Sequence, residues 1–204
     1  MNRLRTNVNI AICLLTICLN LTGLGLLAAS ENRGDRVKQI IAHRGASAER
    51  PECTLSAFAR AIEVGATAVE MDVRTTRDGK LYLLHDATLN RTTDGKGTAS
   101  DKTLAQLKEL DAGSWFDKKY QGERIPELRE ALQQCKTKID VLLDLKEQGT
   151  KYAHQVAAEV IKYGDPQRTI VGVRSVEQAL LFRKLLPEAK QLGLIPNPQS
   201  IAAF

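Results

Sequence analysis

From Gln39 onward, short apolar runs alternate with segments whose apolar residues recur at helical spacing, the pattern of β-α-β units and a parallel sheet. Runs at 39–42, 67–73, 81–84, 139–145, 170–173 and 191–195 predict six strands. Between the first two, Thr54 stands where a helix cap belongs, Leu55, Phe58, Ala59 and Ile62 form an apolar stripe, and Gly65 can close the helix. Later helices are expected over 151–163, with Val156, Val160 and Ile161 inward, and over 176–186, with Leu180, Leu181 and Leu185 inward. The third connection breaks this rhythm. Residues 87–138 hold a polar Gly- and Thr-rich stretch from Asn90 to Ser100, a short helical pattern around Leu104, Leu107 and Leu110, then Gly113-Ser114-Trp115-Phe116, and only from Pro126 a core-type helix with Leu128 and Leu132. A connection that long in a compact domain is usually functional or a small subdomain.

The reactive side chains fall where the apolar runs end. His43-Arg44 follow the first run, Glu70-Met71-Asp72 lie in the second, His85-Asp86 follow the third, and Asp144-Leu145-Lys146 close the fourth. Strands of an α/β barrel carry their reactive groups at their carboxyl ends, so these residues would meet on one rim. Residues two apart in a strand share a face, so Glu70 and Asp72 point one way while Val69, Met71 and Val73 point the other. Asp144 and Lys146 repeat that geometry, with Leu143 and Leu145 outward. Carboxylates on the inner face of two parallel strands repel and are costly to desolvate unless a cation joins them. Oxygen-only ligands point to a hard ion, magnesium or calcium, rather than zinc. For Glu70 and Asp72 alone, a solvated acidic pair on an edge strand is the alternative; Asp144 and two histidines at matching positions favour the metal site.

Histidine is the side chain best suited to exchange protons near neutral pH, and the chain has three. His154 falls inside a helical pattern and reads as a surface or packed residue. His43 and His85 both end strands on the expected rim, and phosphodiester hydrolysis needs one proton taken from water and one given to the leaving alkoxide. Arg44 offers a planar fork to phosphate oxygens and Lys146 a point charge, although Lys146 could equally form a salt bridge to Asp144 or Glu70.

Composition narrows the setting. The 204 residues suffice for one catalytic domain, 39–204, behind a leader and a polar linker at 31–38. The net charge of +5 includes Arg3 and Arg5 of that leader, a surplus too small to argue for nucleic acid. Residues 1–30 carry a basic start, an apolar stretch from Val8 to Leu27 and small residues Ala28-Ala29-Ser30, the three parts of a secretory signal; an uncleaved membrane anchor is the alternative. Cleavage would remove Cys13 and Cys18, leaving Cys53 and Cys135 in the exported chain as free, partly buried thiols.

Read in order, these residues resemble the glycerophosphodiester phosphodiesterase family. Its opening motif, His-Arg-Gly followed by Pro-Glu-Asn-Thr, is similar to His43-Arg44-Gly45 and Pro51-Glu52-Cys53-Thr54, with Cys53 in place of Asn. Its second is matched by Val69-Glu70-Met71-Asp72-Val73, Thr76, Asp78-Gly79 and Leu84-His85-Asp86. Leu89, Arg91-Thr92-Thr93, Gly95, Gly97, Leu107, Leu110-Asp111, Gly113, Trp115-Phe116, Ile125-Pro126 and Leu128 look like its inserted subdomain, here 87–125. The resemblance implies a TIM-type (β/α) barrel and hydrolysis of small-molecule glycerophosphodiesters to sn-glycerol 3-phosphate and an alcohol. It also implies a divalent cation held by Glu70, Asp72 and Asp144, the last one methylene shorter than the family's usual Glu, with His43 and His85 as the catalytic pair and Lys146 beside them. Six strands rather than eight imply an incomplete barrel with open edges at the first and last, unless a second chain closes it. The alternatives are a phospholipase D-like relative acting on intact lipids, and a truncated, inactive remnant or binding protein.

Overall fold

The computed structural model describes residues 37–194. The expected signal at 1–30 with Cys13 and Cys18, the linker before Val37 and the chain beyond Leu194, including position 195 of the expected last strand, lie outside the described residues. Among the described residues no helix is long and apolar enough to cross a membrane.

The strands and helices follow the expected order: β1 (Ile41–Ala42), α1 (Leu55–Glu63), β2 (Ala68–Thr75), β3 (Leu81–Leu83), α2 (Leu104–Lys108), α3 (Leu128–Cys135), β4 (Asp140–Leu145), α4 (Thr150–Tyr163), β5 (Thr169–Val173), α5 (Val176–Leu185) and β6 (Lys190–Gly193). All six strands join one sheet, in the order β1-β2-β4-β5-β6 with β3 paired to β2. The order never reverses, unlike that of a doubly wound sheet, and this sequential winding is that of a (β/α) barrel. The barrel is not closed among the described residues: β1 and β6 each pair on one side only.

The direction of β3 was not legible in the apolar pattern. It runs antiparallel to the end of β2, with Val73 opposite Leu83 and Thr75 opposite Leu81, so only β1, β2, β4, β5 and β6 are mutually parallel. The connection Thr76–Lys80 is too short for a crossover helix, which parallel pairing would require. The hairpin has a functional consequence. Beta-2 climbs past the rim and β3 descends again, so Leu84 N–H donates to Asp72 O and His85 returns to the level of Asp72.

Local sequence accounts for the helix ends. The Thr54 hydroxyl accepts from Ala57 N–H at the start of α1, and after α1 Gly65 takes φ +77 where a side chain would be strained. Thr103 and Gln106 form a reciprocal capping box on α2. The outward sides of the strands, Val69, Met71, Val73, Val141, Leu143, Leu145, Val171 and Val173, pack against Phe58, Leu128, Leu132, Val156, Val160 and Phe182 of the helices. Two expected core positions are corrected here: Ile161 is 60% exposed and Leu180 is 51% exposed. The buried stripe of α4 runs through Ala153, Val156, Ala157 and Val160, and that of α5 through Gln178 and Phe182. Ile161 and Leu180 lie about 100° and 200° around their helices from these stripes.

The expected insertion has a small core of its own, made by Leu84, Leu89, Ala99, Leu107, Ala112 and Ile125 around Tyr82. Gly113 is required there by space: a Cβ at that position would sit 2.0 Å from the Tyr120 carbonyl oxygen. Tyr120 ties the insertion to the loop after β1, receiving Arg50 Nη1–H at 2.5 Å and donating its hydroxyl to Glu49 O at 3.0 Å.

Candidate active site

The chain leaves β1 through two consecutive left-handed residues, Arg44 at φ 60° and Gly45 at φ 83°. Gly45 is compelled twice, since an added Cβ would also lie 2.7 Å from Ala57 Cβ. Arg44 pays a backbone strain of about 1–2 kcal/mol for its conformation, the sort of distortion that concentrates at functional sites. In return its N–H donates to Glu70 Oε2 at 2.8 Å, and His43 Nε2 comes within 4.0 Å of the same oxygen.

Beta-2 and β4 supply the carboxylates. Asp72 and Asp144 are direct partners in the parallel register, and one oxygen each from Glu70, Asp72 and Asp144 lies within 4.8 Å of the others. Glu70 is 6% exposed and Asp72 fully buried. Burial, then the neighbouring charge of Asp72, pushes the Glu70 carboxyl up to about 8. Cys53, at φ 57°, donates its thiol to Asp72 Oδ2 at 3.3 Å, and its N–H holds Arg44 O at 3.0 Å. Burial and then Asp72 push that thiol well up, so it stays a neutral donor. Cys53 and Cys135 are free and buried.

Cations surround this cluster. Lys146 Nζ is 2.5 Å from Asp144 Oδ2 and 2.8 Å from Asp72 Oδ1, so the salt bridge weighed from sequence does form, to Asp144 and Asp72 rather than to Glu70. Asp72 Oδ1 is buried, and this ion pair to Lys146 is its only polar contact among the described residues. Arg44 Nε, 3.7 Å from Asp72 Oδ2, is a buried donor with no acceptor among the described residues. Three converging carboxylates form an all-oxygen donor set that fits a hard divalent cation, and the unpartnered guanidinium N–H beside it fits an anionic oxygen.

His85 is oriented from outside. Its Nδ1–H donates to Asp86 Oδ1 at 2.8 Å, and Arg74 grips the His85 and Leu84 carbonyls at 2.6 and 2.9 Å. Arg91 of the insertion then grips Asp86 at 2.7 and 2.9 Å and Glu52 at 2.7 and 2.9 Å, and Glu52 accepts from Arg44 Nη1 at 3.1 Å. A continuous chain of ion pairs therefore runs from His85 through Asp86, Arg91 and Glu52 to Arg44. Hydrogen bonding to Arg91 holds Asp86 far below the usual carboxylate range. Burial alone would raise Glu52, but Arg91 and Arg44 outweigh it and hold it low. Burial, then Arg44, lowers His43, with Asp72 opposing and the nearby His85 adding to the lowering.

All seven expected residues thus gather on one rim: His43, Arg44, Glu70, Asp72, His85, Asp144 and Lys146. His154 lies elsewhere, with Nδ1 against Thr150 O on the exposed side of α4. Sequence reasoning missed Arg174, whose Nη2 donates to Asp144 Oδ1 at 2.5 Å. It directly follows β5, so the strand-end rule that found Lys146 would have found it too. Glu52, Asp86 and Arg91 were visible only as motif letters, because nothing in their spacing reveals that the insertion folds back to join them.

This chain matches the family model described as the glycerophosphoryl diester phosphodiesterase family over residues 43–199. It is 38% identical over 161 residues to the glycerophosphodiester phosphodiesterase of Caldanaerobacter subterraneus, covering 76% of this chain and 65% of that one. It is 35% identical over 175 residues to that of Bacillus subtilis, covering 78% and 60%. Among solved structures it is similar to an Oleispira antarctica phosphodiesterase in complex with the product sn-glycerol-3-phosphate, at 32% identity and a TM-score of 0.70 over 77% of this chain and 66% of that one. The chain therefore spans less than two thirds of the length of these relatives. The family model covers more than half of the chain, and on that match the chain belongs to the glycerophosphoryl diester phosphodiesterase family.

Proposed function

We propose that the chain hydrolyses glycerophosphodiesters to sn-glycerol 3-phosphate and an alcohol, using His43 and His85 for proton transfer. What carries this proposal is the convergence of three carboxylates within 4.8 Å with two imidazoles and the forked Arg44 on one rim. Glu70, Asp72 and Asp144 would hold a divalent cation, calcium or magnesium, which when bound offsets charge on phosphate oxygens and orients the diester.

The side chains divide the remaining work. His43, held below its ordinary range, is neutral at pH 7 and accepts the proton of the attacking water. As water oxygen bonds to phosphorus and the bond to the alcohol breaks, His85 gives its proton to the departing alkoxide. Asp86 keeps the His85 ring in one orientation and leaves Nε2 as the free nitrogen. Arg44 Nε and Lys146 Nζ stabilise the charge that spreads over the phosphoryl oxygens. The product in the Oleispira relative supports a glycerol phosphate half on the substrate. Export fits a scavenging role of this kind and is supported by the basic, apolar and small-residue order of residues 1–30.

The test is turnover of glycerophosphocholine by the full chain and its variants. His43→Ala and His85→Ala should each lower kcat by at least about a hundredfold, with the melting transition retained. Full activity in either would remove that histidine from the mechanism, and an inactive chain without a cooperative melt would favour the remnant.

A further inference from the structure

Three carboxylates at the rim face three cations among the described residues: Arg44 beside Asp72, Lys146 between Asp72 and Asp144, and Arg174 on Asp144. With all three carboxylates ionised these cations balance them, so a divalent cation entering the cluster meets positive charges already 2.5 to 3.7 Å from Asp72 and Asp144. One of them must yield. Arg44 is held by Glu52 at 3.1 Å, and its own N–H is fixed on Glu70. Lys146 bridges two carboxylates and is 13% exposed. Arg174 is 36% exposed, and apart from Asp144 its guanidinium has, among the described residues, only a long 3.3 Å bond to Leu145 O.

We propose that Arg174 is a displaceable counterion that couples cation binding to phosphate binding. It pairs with Asp144 while no divalent cation is bound and, once displaced, turns to the phosphate of the diester. Lys146 and Arg174 flank Asp144 from consecutive strand ends, so the guanidinium that leaves the carboxylate remains at the rim where the phosphate is bound. The planar fork suits two phosphate oxygens as well as it suits a carboxylate. The inference rests on the three carboxylates holding a divalent cation, the function proposed above. Coupling is reciprocal: a phosphate ester that captures Arg174 tightens the cation, and the cation tightens the ester by the same factor.

Isothermal titration of calcium into the full chain, with and without sn-glycerol 3-phosphate, reads this directly. Arg174→Gln should bind calcium about tenfold tighter than the unmodified chain when no phosphate is present, because a competing charge has gone. Glycerol 3-phosphate should raise calcium affinity in the unmodified chain by several-fold and leave Arg174→Gln with little of that gain. Arg174→Met, which keeps the apolar stem, should behave as Arg174→Gln if the latter folds poorly. Lys184→Gln, an equal loss of charge on the exposed side of α5, should titrate like the unmodified chain. Calcium affinity unchanged or weaker in both Arg174 variants, with the unmodified chain binding calcium, would overturn the counterion role and leave the proposed hydrolysis standing. No calcium or magnesium binding in any of the proteins would overturn both.

Discussion

The two sides of the rim solve the problem of holding charge in opposite ways. On the β2–β4 side, Glu70 and Asp72 are buried with Asp144 beside them, and Lys146 bridges the two aspartates. On the insertion side, Asp86, Arg91 and Glu52 form a half-exposed chain in which carboxylates and guanidinium alternate with bonds of 2.7 to 2.9 Å. The first side draws three carboxylates into low dielectric, where their burial is costly even with Lys146 and Arg174 paired to them; the second alternates charges near solvent, and exposed pairs of that kind contribute at most about 1 kcal/mol each to stability. The lesson is a division of labour: the buried side binds, and the half-exposed side aims His85 and Arg44.

The largest effect should follow from breaking the buried side. Asp72→Asn keeps the shape but removes a charge central to the cluster, and it should cost calcium binding outright and about a thousandfold or more in kcat/KM. A variant within tenfold of the unmodified chain would show that Asp72 is not a ligand. Arg91→Met breaks the other side and should lower kcat/KM by about ten- to hundredfold with little change in Tm, since the residues it positions act on substrate while its own pairs add little to stability. Guanidinium at millimolar concentration should restore part of the loss; a fall in Tm that accounts for the lost activity would make Arg91 merely structural.

Acidity separates the two sides by sign. Glu70 titrates near 8 in the folded chain against 4.5 unfolded, so its contribution is fully present below pH 4.5 and is lost as pH rises through about 8. Glu52 is held below 4.5, so its contribution is present above that value and is lost as pH falls through its depressed folded value. In cation-free buffer, Tm should therefore decline from pH 5 toward pH 8 on account of Glu70, and saturating calcium should remove that decline by keeping Glu70 ionised in the folded state. A decline indifferent to calcium would place its origin outside the cluster.

Much of this was legible because period and position carry it. The alternation in Glu70-Met71-Asp72 and Asp144-Leu145-Lys146 assigns the inner face, and strand ends assign the rim. What escaped depends on contacts between distant segments. The antiparallel course of β3 is decided by the short connection Thr76–Lys80 rather than by its apolar residues. The Glu52–Arg91 pairing spans 39 positions and exists only because the insertion packs back on the first loop. Ile161 and Leu180 show the remaining limit, since adjacent apolar residues on a helix compete for one buried stripe and sequence alone does not rank them.

Following glycerophosphocholine by phosphorus NMR in the presence of the purified chain and calcium, then adding excess chelator, tests the central claim most directly. The diester signal should convert to that of sn-glycerol 3-phosphate and the conversion should stop with the chelator, resuming when calcium or magnesium is restored in excess. Conversion that continues unchanged under chelation would contradict a cation-dependent site built from Glu70, Asp72 and Asp144.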